Sequence, residues 1–265
     1  MNSYIWTNNA AHNTSEIESF LKHELNDTEY EGIVGATDFR IVYENAISVQ
    51  QLFLRQILKE DLNSYLSKGS IVSLGVAYLR SAIENINRKE GKNVDFSSWN
   101  RYAMEYNNLN RILNNMSIKL SKELEGYAIP ATSETPTHAV KHVRDYFPST
   151  LSHRFVAEQA GLGWRGKNGL IINPTFSCAV RFTSVLTLKP LVHASPMDSQ
   201  CGECTACEDV CNFLRYRDIL PDYRENCRRY ISHLMKKGLT EDVCGKCIKA
   251  CVDKSLLSDH FKLKS

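Results

Sequence analysis

The chain carries nine cysteines, and none precedes residue 178. Residues 201–211 read CGECTACEDVC, which spaces Cys201, Cys204, Cys207 and Cys211 as C-x2-C-x2-C-x3-C. A second run, VCGKCIKAC, brings Cys244, Cys247 and Cys251 on nearly the same rhythm, one cysteine short. Thiols this crowded are held either by disulfides or by metal, and the compartment decides between them.

The remaining sequence speaks to that compartment. The N-terminal stretch MNSYIWTNNAAHNTSE is polar and lacks the basic-then-apolar order of a secretory signal. SIVSLGVAYL (70–79) is a strand's worth of apolar residues, short of the roughly 18 that a membrane helix needs. These features predict a cytoplasmic protein with no membrane span, in which thiols stay reduced and act as metal ligands. A net charge of +2 gives no overall basic character that would advertise a nucleic-acid binder. Apolar residues at 43% and charged residues at 23% are ordinary for a folded chain, and 265 residues allow one large domain or two smaller ones.

In two-cluster ferredoxins each [4Fe-4S] cube takes four thiolates, and the last cysteine of each run crosses to the other cluster. On that pattern Cys201, Cys204, Cys207 and Cys251 hold one cluster. Cys211, Cys244 and Cys247 hold a second and leave one vacancy, for which Cys227 in YRENCRRYISHLMKKG is the candidate. Cys178 is then left over. Two zinc sites of four thiolates each would use the same eight cysteines, but zinc modules pair two C-x2-C knuckles and do not need the four-cysteine run. The proline that commonly follows the fourth cysteine is absent, since Asn212 and Val252 stand there. Interlocked clusters suit one-electron transfer, and the long segment ahead of them is expected to contain the acceptor.

That segment alternates helix-like and strand-like patterns, which predicts an α/β layer architecture for about residues 1–190. Ser15 and Glu18 resemble a capping box ahead of a helix face of Ile17, Phe20, Leu21 and Leu25. A long helix is expected over 98–125 with Gly126 as its stop. Short strands are expected at SLGVAYL, YAIPAT (127–132), GLIINP (169–174) and VRFTSVLTL (180–188). ASPMDSQ reads as a linker, which places the domains at 1–193 and 194–265.

AGLGWRGKNGLIINP (160–174), LTLKPL, the first cysteine run, NCRRYISHL and CGKCIKAC appear in that order. This array resembles the epoxyqueuosine reductase family, relatives of the reductive dehalogenases. The resemblance is close over about 150–252 and looser over 40–150. It implies a nitroreductase-like cobalamin-binding domain followed by a bacterial-ferredoxin-like two-cluster domain. It also implies cobalamin or another corrinoid as cofactor, reduced by the nearer of two [4Fe-4S] clusters, with Co(I) acting on the substrate. A low-potential electron donor such as ferredoxin or flavodoxin would supply the electrons. In the family the cysteine of the RRCISYL-like segment completes the second cluster, which corresponds to Cys227.

On this resemblance Gly161, Gly163, Trp164, Lys167, Asn168 and Cys178 are candidate corrinoid contacts. Read from spacing alone, the same glycines cap a helix end and Trp164 is a core residue. No D-x-H-x-x-G motif offers a histidine ligand to cobalt. His153 and Asp145 are the candidate catalytic residues. The family's proton-donating aspartate sits in D-[ST]-x-P; aligned without gaps, that position is Phe147, with Asp145 two residues early. The chain also ends at Ser265, soon after Cys251, whereas the family continues into a helical-repeat extension that helps to hold tRNA. The basic residues Arg224, Arg228, Arg229, Lys236 and Lys237 could still touch phosphates.

Three readings follow. The first is a short paralogue reducing a small-molecule or modified-nucleoside substrate other than queuosine. The second is an epoxyqueuosine reductase acting on tRNA. The third is an electron-transfer protein that reduces a partner corrinoid protein.

Overall fold

The computed structural model describes residues 4–131, 141–220 and 222–255. The strands are β1 (Gly32–Asp38), β2 (Ser70–Ala77), β3 (Lys89–Glu90), β4 (Asn93–Val94), β5 (Tyr127–Ile129), β6 (Trp164–Arg165), β7 (Ile171–Ile172) and β8 (Val180–Thr187). The first seven helices are α1 (Ala10–Leu25), α2 (Phe39–Asn45), α3 (Ser48–Leu58), α4 (Leu62–Lys68), α5 (Arg80–Glu84), α6 (Phe96–Glu123) and α7 (His153–Gln159). Four more follow: α8 (Ala206–Asp209), α9 (Asn212–Arg215), α10 (Tyr223–Lys237) and α11 (Lys246–Ser255).

The expected mixture of helix and strand is present. It divides into two compact units, and the division is discontinuous along the chain. One unit comprises Met1–Val76, Asn110–Gly163 and Phe182–Met197; the other comprises Ala77–Leu109, Trp164–Arg181 and Asp198–Ser265. The cysteine-bearing end therefore shares a unit with two segments that lie ahead of the 193/194 boundary drawn from the cysteine distribution.

The first unit is built on a four-stranded sheet in the order β1-β2-β8-β5. β1 pairs with β2, and β5 with β8, in antiparallel register. Every residue of β2 is buried, as its unbroken apolar pattern predicts for a central strand. Phe39, Val42, Tyr43, Leu54, Leu58, Tyr65, Ile71, Ile129, Leu151, Val156 and Leu186 form one core cluster that packs α2, α3, α4 and α7 with the sheet.

Two expected helix ends differ in detail. α1 starts five residues ahead of Ser15, because Asn9 accepts the His12 amide as its N-cap. Ser15 lies inside the helix, while Ile17, Phe20, Leu21 and Leu25 are buried as their spacing predicts. At the end of α6, Glu125 takes the left-handed backbone at φ 51, and the Gly126 amide closes back on Ser121 O at 2.8 Å. Gly126 is needed for another reason: a Cβ there would stand 1.9 Å from Leu186 O in β8. Thr132, at the end of the expected YAIPAT strand, lies outside the described residues.

The second unit contains the β3–β4 and β6–β7 hairpins and the helices from α8 onward. Its framework comes from residues 77–109. The Trp99 indole N–H donates to Cys244 O (2.9 Å), and Asn100 clamps Gly238 O and Thr240 N, each at 2.9 Å. Lys249 Nζ reaches Glu84 O at 2.7 Å. Gly245, at φ 77, lies so close to Tyr102 and Ile86 that a Cβ would meet their side chains at 2.7 and 2.8 Å. Among the described residues no helix is long and apolar enough to cross a membrane.

In the first unit, β1 passes tightly under the end of α7. A Cβ on Gly35 would stand 2.4 Å from Ala160 O and 3.0 Å from Leu162 Cδ2. Gly35→Ala is expected to lower stability by about 1–3 kcal/mol through overpacking. In urea this should appear as a lower midpoint at unchanged slope.

Candidate metal centres

Short turns and helices present the cysteines. The Cys204 amide closes a turn onto Cys201 O (2.9 Å), and Gly202 within it has φ 44. α8 carries Cys207, Cys211 is the N-cap of α9, and α10 carries Cys227. Gly245 turns the chain between Cys244 and Cys247, and α11 carries Cys247 and Cys251 four residues apart.

Mutual electrostatics sort these thiols into two neighbourhoods. Burial pushes Cys227 up to about 12, and the Cys244 and Cys211 thiols push the same way. Cys247 is driven up first by burial, then by Cys244, Cys227 and Cys211. Burial likewise raises Cys244, with Cys211 adding to it. Cys207 is pushed up to about 11 by burial, then by Cys251, with Cys201 a weaker contributor. These mutual effects associate Cys227, Cys244 and Cys247 with Cys211, and Cys207 with Cys251 and Cys201, while Cys207 also presses on Cys247, so the two groups adjoin in the same unit. Cys204 joins the latter through the Cys201 turn.

Buried thiols that oppose one another's ionisation need a cationic partner to become thiolates, and a metal supplies it. Among the described residues, no three His, Cys, Asp or Glu side chains converge as they would around one metal ion. A four-iron cube, taking one thiolate at each iron, accepts a more widely spaced set.

The segment after α7 supplies further candidates. Gly161 caps that helix in the left-handed region (φ 66), with the Leu162 amide closing onto Ala157 O at 3.0 Å. A Cβ on Gly161 would meet Ala194 Cβ at 2.8 Å. Gly163 also has positive φ, 152.

In the second unit, Trp164, Ile172 and Cys178 form a buried apolar cluster against which Leu170, Cys201, Ile248 and Cys251 pack. Trp164 is only 7% exposed, and its indole N–H has no hydrogen-bond partner among the described residues. A buried donor left open is what a site for a polar-rimmed ligand would present.

The other corrinoid candidates are engaged beside the cysteines. Lys167 Nζ donates to Cys204 O at 3.0 Å, and Arg217 donates to Lys167 O. Asn168 Nδ2 donates to Cys178 Sγ (3.5 Å), while its Oδ1 accepts from the Leu170 amide (3.0 Å). The Cys178 thiol donates to Ile248 O at 3.9 Å, and the neighbouring Cys251 together with burial holds it well above the ordinary thiol value. Ser177 Oγ donates to Cys251 Sγ at 3.3 Å.

The two catalytic candidates lie in the first unit. His153 is buried, at 6% exposure, with Nε2 2.9 Å from Pro130 O and Nδ1 2.8 Å from Ser184 Oγ. A carbonyl only accepts, so Nε2 carries a proton, and Nδ1 meets a hydroxyl that can donate or accept, which fixes the ring at both nitrogens. Asp145 lies in a 3₁₀ turn (Val143–Ser149) that also contains Phe147 and Pro148. Its carboxylate accepts from the His142 and Lys141 amides at 2.7 and 2.8 Å, which holds its pKa below the ordinary range. A general acid at neutral pH needs a shift in the opposite direction.

Part of the expected basic cluster is paired. Arg228 and Arg229 both reach Glu225, at 2.8 and 3.7 Å, and Arg224 lies over the Tyr223 ring. Sequence reasoning missed Ser177, Trp99, Tyr102 and Lys246, the last stacked over Trp99 and bonded to Tyr230 OH at 2.7 Å. Each acts through residues distant in sequence, so no local pattern marks it.

No protein-family model matches the chain. It is 40% identical to the epoxyqueuosine reductase of Bacillus anthracis over 90 residues, which are 34% of this chain and 22% of the relative. It is 26% identical to the epoxyqueuosine reductase of Lactococcus garvieae over 253 residues, 87% of this chain and 67% of the relative. The match to the Bacillus protein thus spans about a fifth of that protein's length. A crystal structure of selenomethionine-labelled epoxyqueuosine reductase superposes with a TM-score of 0.51 at 21% identity, covering 94% of this chain and 68% of that one, which speaks to the fold. The ordered cysteine runs, the fold and these relatives agree: the chain is similar in sequence and in fold to the epoxyqueuosine reductases.

Proposed function

We propose that the protein is an iron–sulfur oxidoreductase of the epoxyqueuosine reductase type. In this reading it passes electrons through two [4Fe-4S] clusters to a bound corrinoid that reduces epoxyqueuosine in tRNA. The grouping of the thiols carries the proposal: two partly buried sets, each drawing on both cysteine runs, would suit two interlocked cubes. Cys201, Cys204, Cys207 and Cys251 would hold one, and Cys211, Cys227, Cys244 and Cys247 the other. The corresponding modules are a nitroreductase-like corrinoid and substrate part and a ferredoxin-like two-cluster part. A low-potential ferredoxin or flavodoxin is the proposed donor.

A corrinoid, when bound, supplies a reduced cobalt centre able to attack an electrophilic carbon. The chain's own residues fit such a group. The open Trp164 N–H offers a buried donor, and the glycine-capped turn at Gly161 and Gly163 brings bare backbone to the same segment. Lys167 and Asn168 would hold that segment beside the first cysteine set through their bonds to Cys204 and Cys178. The relatives are all named for one activity, and none favours a substrate other than epoxyqueuosine.

Anaerobic reconstitution with iron, sulfide and cobalamin should give about eight irons and one cobalt per chain. Cys227→Ser is expected to lose about half of that iron, whereas Cys178→Ala should keep it all. Reduced, loaded protein should convert epoxyqueuosine-bearing tRNA to queuosine. Zinc in place of iron, or full iron in Cys227→Ser, would overturn the ligand assignment; fully loaded protein inert towards that tRNA would overturn the substrate.

Asp145 is proposed as a turn cap, ionised at neutral pH, and Asp145→Asn should leave conversion within about twofold. Its folded pKa is depressed, so its contribution is complete above the ordinary carboxylate value and is lost as pH falls through the folded one. An NMR titration placing its carboxyl at or above the ordinary aspartate value would contradict this role.

A further inference from the structure

The turn at 173–178 serves the reading above only by supplying Cys178, yet it is tightly built. The Asn173 amide donates to Ser177 O at 2.8 Å, and Asn173 Oδ1 accepts from the Thr175 and Phe176 amides at 2.8 and 3.1 Å. Ser177 sits at φ 52, a left-handed conformation that a residue with a side chain enters only at a steric cost. That backbone directs the Ser177 hydroxyl at one sulfur. Ser177 Oγ lies 3.3 Å from Cys251 Sγ, while the neighbouring Cys178 thiol reaches Ile248 O at 3.9 Å, in the turn before that sulfur. Ser255, one helical turn beyond Cys251, stands behind them. Its Oγ donates to Ser177 Oγ at 3.1 Å, with Cys251 O, 2.8 Å away, as the alternative acceptor. In the first arrangement Ser255 polarises Ser177, and Ser177 polarises the sulfur.

We propose that the Ser177–Cys178 turn is a hydrogen-bond cradle for the Cys251 sulfur that raises the reduction potential of the cluster Cys251 would ligate. This rests on the assignment of Cys201, Cys204, Cys207 and Cys251 as one cluster set. Donors aimed at a ligand sulfur favour the form with more negative charge, which is the cluster after it has taken up one electron. An electron given up by the other cluster, which is thereby oxidised, is then drawn to the Cys251 cluster, which is reduced. Ser177 acts through Cys251 and is a positioning residue.

The test is an EPR-monitored redox titration of the reconstituted full-length chain, wild type against Ser177→Ala, Ser177→Gly and Cys178→Ser. In Ser177→Ala one midpoint should fall by about tenfold in the one-electron equilibrium, about 59 mV, while the other stays and iron remains at about eight per chain. Ser177→Gly relieves the backbone but also lacks the hydroxyl, so it should show the same fall. Cys178→Ser leaves the Ser177 hydroxyl in place and should hold the wild-type potential. Two unmoved midpoints at full iron in both Ser177 variants, or two midpoints moving together, would overturn the cradle and leave the ligand assignment standing. Wild-type protein that cannot hold two clusters would overturn the assignment and the cradle with it.

Discussion

Cys247 and Cys251 stand one turn apart on a single short helix, and the rest of the cysteine architecture depends on that spacing. Four residues of α-helix rise about 6 Å, so two neighbouring sulfurs on one face reach points separated along the axis. Cys247 is pushed up by Cys244, Cys227 and Cys211, whereas Cys251 presses on Cys207 and Cys178. One rigid element would therefore serve both of the proposed thiol sets, and moving it would disturb both. The electrostatic cost of gathering unpaired thiols is a reason for such sets to exist only where a cation completes them.

The helix is held from outside the cysteine segment. Trp99 bonds the Cys244 carbonyl, Gly245 is sandwiched by Tyr102 and Ile86, and Lys249 ties the middle of α11 to the end of α5. Short cysteine-rich pieces have little core of their own. Borrowing a helix and its aromatic residues from the 77–109 segment supplies one. This explains why the second unit is assembled from three stretches of chain.

The segment after α7 links the family motif to the same cysteines. Lys167 bonds to Cys204 and Ser177 to Cys251, while Asn168 bonds to Cys178, against whose cluster Cys251 packs. A motif that would hold a corrinoid also braces the first thiol set. One short hairpin would thus couple the placement of the two proposed redox groups, with Trp164 left as the open donor.

Patterns that depend on near neighbours were legible. The i, i+4 spacing of Cys247 and Cys251, the apolar face of α1, the buried run of β2 and the glycine-capped end of α7 follow from local geometry and solvent exclusion. The crossing of the cysteine runs was also an expectation of the sequence, because only a few ligand spacings suit a four-iron cube. Other features needed the fold. Asn9 displaced Ser15 as the cap, and Glu125 took the left-handed position expected of Gly126, because β8 passes where a Gly126 Cβ would be. His153 became a fixed core imidazole through Pro130 and Ser184, and Ser177 acquired its role only when Cys251 arrived beside it. Sequence alone therefore determined which residues can form each element and where the thiols fall along it. Tertiary structure decided which polar groups meet, because hydrogen bonds act over about 3 Å between groups that the chain separates by tens of residues.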